Sequence, residues 1–257
     1  MKREKWLTLG LIVAIVMSPV TDVYAQESNG TYETVGSGDY EESLVDDNSN
    51  KESDAKDGAA ENRNIATVSN EGIVGETGKN TTVTGDVTTT GETSDGVTAD
   101  GSNTKVTVKG NVTVSGTGSA GVSANNNATV EVTGNVEAKG DNQTHEGQTG
   151  GTYIDKWADG VEADNGSKVT VDGNVTSQKG WAIDSHGSDV TVNGDVHSEK
   201  GSAINARKGS TITIDGSVSS NAGITLGGII ETTESTIKIT KDVTAKNAWG
   251  ILAGSEA

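Results

Sequence analysis

From about residue 63 to Ala257, short apolar–polar alternations return along the chain at nearly regular intervals. The recurring core is apolar-x-apolar-x-Gly-[Asn/Asp]-Val, at 81–87, 106–112, 130–136, 169–175, 190–196, 212–218 and 237–243. Its glycine falls at Gly85, Gly110, Gly134, Gly173, Gly194 and Gly216, with Lys241 in the last copy, at spacings of 25, 24, 39, 21, 22 and 25 residues. A second apolar element follows each core, centred on Val97, Val122, Val161, Ile183, Ile204, Ile229 and Ile251. A small residue stands two places after each centre, Glu231 excepted, and the next core begins 7 to 9 residues after the centre. Self-similarity at such a period marks a solenoid, propeller or array.

Alternation with period two puts the first and third core positions on one face of a strand. Stacking the copies then gives inward columns of Val and Ile, with Thr81 the only non-aliphatic member. Gly followed by Asn or Asp predicts a bend, since both tolerate positive φ. Two arrangements fit. Asp172-Gly173, Asn193-Gly194 and Asp215-Gly216 are type I′ hairpin signals, which would make an antiparallel meander. The other copies lack that signal, and hairpin arms would be only three or four residues long. A parallel β-helix uses the same residues as corners and accounts for the period. The expected fold is therefore all-β, a right-handed parallel β-helix of about seven rungs, about 4.8 Å apart and spanning roughly 34 Å.

Composition alone points elsewhere. Leu, Ile and Val number 49 of 257 residues and the formal net charge is −18, close to the signature of a disordered chain. The arrangement removes the conflict: 27 of the 37 aliphatics in 63–257 fall in four columns, as a one-dimensional core requires. With no cysteine there is no disulfide framework, thiolate metal site or cysteine nucleophile. A pI near 4.4 argues against nucleic-acid binding, which needs clustered Lys and Arg.

The first 25 residues read as a secretory signal peptide. Lys2, Arg3 and Lys5 precede an apolar run at 6–17, and Val23-Tyr24-Ala25 suits cleavage before Gln26. The run is short for a membrane span of about 20 residues, so no span is expected after cleavage. Residues 26–62 carry eleven acidic side chains against Lys51 and Lys56, with almost no aliphatics, and read as a disordered acidic linker. The expected location is secreted and associated with a bacterial cell surface, and 63–257 is the repeat domain.

Lines such as Lys168-Val-Thr-Val-Asp-Gly-Asn-Val175 and Gly201-Ser-Ala-Ile-Asn-Ala206 resemble the right-handed β-helix repeats of large bacterial surface proteins and autotransporter-like, adhesin-type passengers. The resemblance covers about 63–257. It implies a secreted or displayed non-enzymatic stalk or adhesin, whose partner is a glycan or an extracellular protein. The chain stops inside the seventh copy, so further β-helix or other modules are expected beyond Ala257. Such folds also host polysaccharide lyases and glycoside hydrolases, so fold does not decide activity.

That alternative needs paired carboxyls about 5–10 Å apart. The outward slot after the second-element centre reads Thr98, Ser123, Glu162, Asp184, Asn205, Ile230 and Leu252, which makes Glu162 and Asp184 neighbours in adjacent rungs. An acidic surface ladder explains the same pair. His145, His186 and His197 show no metal spacing and read as solvated surface residues, so neither metal nor cofactor is expected. The 39-residue interval holds an insertion at about 139–158 containing His145, Tyr153 and Trp157. Aromatics on a loop projecting from a rigid scaffold suit glycan or protein contact, and these three are the candidate binding residues. Trp181 and Trp249 are expected to cap the packing.

Overall fold

The computed structural model describes residues 64–68, 71–147, 151–221 and 235–246 in full. It also describes the backbone of Val23–Gln26, Tyr32–Val35, Ala60–Asn62, Ile230–Thr232 and Leu252–Ala253. The expected signal peptide and linker lie almost wholly outside these residues, as does Trp249. Val23–Gln26 pairs antiparallel with Tyr32–Val35 across the expected cleavage point. Ala60–Asn62 already belongs to the solenoid, three residues before the boundary drawn at 63.

The chain coils into a parallel β-solenoid of about seven turns, with no helix among the described residues. One coil shows the plan. Lys105–Lys109 lies in the first sheet, Val112–Val114 in the second and Val122–Asn125 in the third. Each sheet has eight parallel strands. The hairpin meander is thereby excluded: Asp172-Gly173 and its counterparts turn corners between sheets.

A coil has three strands where the alternation shows two elements. The valine closing each core motif opens a strand of its own, Val-x-small, stacked as Val87↔Val112↔Val136↔Val175↔Val196↔Val218. With a single large aliphatic in most copies, Val112-Thr113-Val114 excepted, this strand offers little alternation to read. Its third residue also faces inward and is often a hydroxyl. Thr89, Ser177 and Ser198 donate to the carbonyls of Ser94, Ala158 and Gly180, each at 2.8 Å, so burial leaves them satisfied.

The core is one continuous cluster of Val, Ile and Ala lined by all three sheets. Thr81 is buried in the first-sheet column, as its position requires. In the third sheet the register sets Ile204 against Ile230 and Asn205 against Glu231. The element centre is thus Ile230 and not Ile229, and Glu231, not Ile230, takes the outward slot. The apparent exception at Glu231 disappears, with Thr232 in the small-residue position.

The corner between the first and second sheets also works differently from the bend expected. Gly85 has the positive φ expected (142°), but Gly110, Gly134, Gly173, Gly194 and Gly216 do not. A methyl on Gly173 would stand 2.5 Å from the Gly134 carbonyl oxygen, and the other copies are as tight. These glycines admit the coil below. The following Asn or Asp links coils: its side-chain oxygen accepts the N–H of the same position one coil on. The series runs Asn64, Asp86, Asn111, Asn135, Asn174, Asp195 and ends on the Ser217 N–H, at 2.7–2.9 Å throughout. Positive φ is concentrated instead in the corner between the third and first sheets, as at Asn165 (55°), Gly166 (80°), Lys208 (54°) and Gly209 (77°).

Two substitutions separate these roles. Gly134→Ala forces coils apart and is expected to cost about 1–3 kcal/mol, as overpacking does. Asn135→Ala leaves the Asn174 N–H to solvent and should cost about 0.5–1.5 kcal/mol. Urea denaturation midpoints check both, and a fully stable Asn135→Ala would remove the ladder as a source of stability.

Candidate functional site

The third sheet departs from the rule that outward positions are plain polar residues. In its outward column Ser123, Glu162, Asp184 and Asn205 sit on four successive strands, with Glu162 directly opposite Asp184 as expected. One end of each strand adds Asp164 opposite His186. The corner leading into this sheet adds Asp95 and Asp159, both buried.

Each group has identifiable partners. Asp184 accepts from Asn205 Nδ2 at 2.9 Å, and Asn205 Oδ1 accepts from Arg207 Nε at 3.0 Å. His186 lies between two carboxylates, Nδ1 3.3 Å from Asp164 and Nε2 3.2 Å from Asp184. The Nε2 contact is off the line of a hydrogen bond, so it counts as electrostatic. Asp184, with help from Asp164, raises this imidazole above its usual range against the opposing effect of burial. His186 is therefore not the solvated residue its turn position suggested.

The carboxyls are pushed the other way from most surface acids. Burial, then Asp164, Asp95 and Asp184, lifts Glu162 up to about 7. Burial, then Asp184 and Glu162, lifts Asp159 well above the usual range, although its Oδ1 accepts the Trp181 N–H at 2.7 Å. Burial also raises Asp95, opposed by Lys156, whose Nζ is 3.1 Å away. Chemically, Glu162 can hold a proton near neutrality beside a second carboxyl, the raw material of acid–base work. No group of three or more His, Asp or Glu among the described residues has metal-binding geometry.

The insertion is a hairpin, Gln143–Glu146 pairing antiparallel with Thr152–Lys156, which leaves the coil between the second and third sheets. Tyr153 and Ile154 are 52% and 39% exposed, the large exposed hydrophobics of the described chain. His145 stacks on Tyr153 with ring centroids 5.7 Å apart, and its Nδ1 lies 2.6 Å from Asp155 Oδ1. Trp157 does not join this outward face. It is half-buried and packs on Trp181 at 4.4 Å, at the hairpin's foot. Asn142 Oδ1 closes the foot by accepting the Ala158 N–H at 2.9 Å.

Of the five residues singled out by sequence, the structure brings Glu162 with Asp184, and Tyr153 with His145. Asp95, Asp159 and Asp164 complete the two groupings and were missed, Asp155 and Lys156 were noticed in the insertion without their partners, and Trp181, expected to cap the packing, does so against Trp157. Asp95 and Asp159 left a trace, as acids in an equivalent corner position occupied in other coils by residues such as Ala120 and Ser202.

Lys156 gives a direct check on the foot. Lys156→Met leaves the buried Asp95 carboxylate with its Ala120 amide bond alone, at an expected cost of about 1–3 kcal/mol. Lys179→Met, which removes an ion pair to the exposed Asp141, should leave the midpoint almost unchanged. Equal urea midpoints for the two variants would contradict the assignment.

Compared with protein-family models, curated proteins and solved structures, the chain finds no match.

Proposed function

We propose that the chain is a secreted or surface-displayed, non-enzymatic stalk of adhesin type, holding the 143–156 hairpin as its contact element for a glycan or an extracellular protein. The observation that carries this reading is the contrast between the two parts. The coils are joined by an unbroken side-chain ladder and a continuous core, which makes a stiff spacer. Among the described residues the hairpin alone projects from them, with an exposed Tyr153 backed by His145. An aromatic face beside the Asp155 carboxylate suits a sugar ring with its hydroxyls, or a protein side chain.

A second reading draws on Glu162, which is set to carry a proton near pH 7 opposite Asp184. Adjacent-strand spacing of about 5 Å is the carboxyl separation of retaining glycoside hydrolases. Against it, Asp184 is already engaged by Asn205 and His186, as befits a structural acid.

Two measurements discriminate. On a glycan and extracellular-matrix array, Tyr153→Ala is expected to weaken binding about tenfold or more, and equal binding by both proteins would remove the hairpin as the contact. On a panel of neutral and acidic polysaccharides, no product release is expected. Release that Glu162→Gln abolishes would establish the enzyme in place of the stalk.

A further inference from the structure

The return foot of the hairpin, residues 156–159, is gripped by neighbouring coils. Lys156 reaches Asp95, Trp157 packs on Trp181, and the Asp159 carboxylate accepts the Trp181 N–H. Asp159 is only 3% exposed, and the groups acting on its charge are Asp184, Glu162 and Asp95, all acids. Glu162 faces Asp164, Asp95 and Asp184 against Lys156 alone. Further out, Glu71 faces Asp95, while His186 and Lys208 face Asp164, and Arg207 faces His186. Cations therefore sit at the two ends of the seam, Lys156 at one and His186 with Arg207 and Lys208 at the other. Its middle, Asp159 with Glu162, has to be neutralised by protons.

At this same place the hairpin strands stand apart from the three sheets. Gln143–Glu146 and Thr152–Lys156 pair with each other outside the three-sheet ladder. The outgoing arm is tied to the neighbouring coil at Lys139 and Asp141, whose backbones bond Val114 and Gly118, so strain at the foot can be relieved by lifting the hairpin beyond those ties without unpairing a coil. Asp159 itself stays tied through its carbonyl, which accepts the Gly121 N–H at 2.9 Å, and that tie marks where the movement stops.

We infer that the foot of the 143–156 hairpin is a proton-operated hinge: with Asp159 and Glu162 protonated the hairpin is seated on the scaffold, and loss of those protons loosens it. The direction follows from linkage. A carboxyl raised by folding stabilises the folded arrangement fully below its ordinary range, and that contribution is lost as pH rises through the raised value. For Glu162 the window runs from about 4.5 to about 7, with Asp159 adding to it in the same direction. The hinge operates whatever the hairpin contacts.

Hydrogen exchange of the full chain at pH 5 and pH 8, each referred to intrinsic rates, tests this. Amides of Gln143–Glu146 and Thr152–Lys156 are expected to lose protection about tenfold or more at pH 8, with Thr129–Val132 in the first sheet unchanged. Asp159→Asn keeps an oxygen for the Trp181 N–H without the charge, and should retain hairpin protection at pH 8. Glu162→Gln should retain part of it, and carries the test should Asp159→Asn not fold. Equal hairpin protection at both pH values overturns the hinge, as does pH dependence that survives both substitutions. A loss spread evenly over all three sheets also overturns it, since that is the mark of general repulsion in a chain of net charge −18.

Discussion

The distance between stacked parallel strands, about 4.8 Å, governs this molecule. Whatever stands at a given position in one coil faces its counterpart at that separation, so each column must be filled by a residue that tolerates or uses a copy of itself. Valine and isoleucine tolerate it by packing. Gly110, Gly134, Gly173, Gly194 and Gly216 meet it by having no side chain where backbones approach. Asn111, Asn135 and Asn174 use it, because an amide side chain is the right length to accept the next coil's N–H. The repeat is thus a record of one spacing solved in three ways.

Acids solve it badly unless something else intervenes, and the third sheet is where they accumulate. At the ladder corner Asp86 is half-buried and Asp195 exposed, and both bond to neighbouring amides within reach of solvent. At the other corner Asp159 performs the same bond, to Trp181, but buried and beside Glu162 and Asp184. One geometry therefore yields a structural ladder on one side of the solenoid and a proton-binding seam on the other. Solvent access is the difference. The hairpin emerges at the seam, so the least settled electrostatics lie under the most projecting element.

The alternation in Val106-Thr107-Val108 and its copies identified the first sheet and its inward columns, because two large aliphatics per strand leave an unmistakable trace. The second sheet escaped, since Val112-Thr113-Val114 reads in most copies as valine followed by small residues and the motif seemed to end there. Glu162 and Asp184 could be paired from the repeat alone, since equal position in successive copies means adjacency. Tyr153, Trp157 and His145 were marked out by rarity of aromatics, but rarity carries no direction: Tyr153 faces outward while Trp157 turns onto Trp181. Lys156 with Asp95 was beyond reach, because the insertion places them 61 residues apart in sequence and no period connects them.

By itself the sequence determined the all-β stacked architecture, the inward columns and the adjacency of equivalent residues, for these depend only on period and on the size of side chains. Only the tertiary structure decided how many strands share a coil, why glycine stands at the corner, and that Ile230 stands in register with Ile204. It alone decided which acids are buried together and how the hairpin is seated. The physical reason is that a repeat specifies which residues are stacked, whereas burial, corner geometry and charge depend on what comes around from the other two sheets.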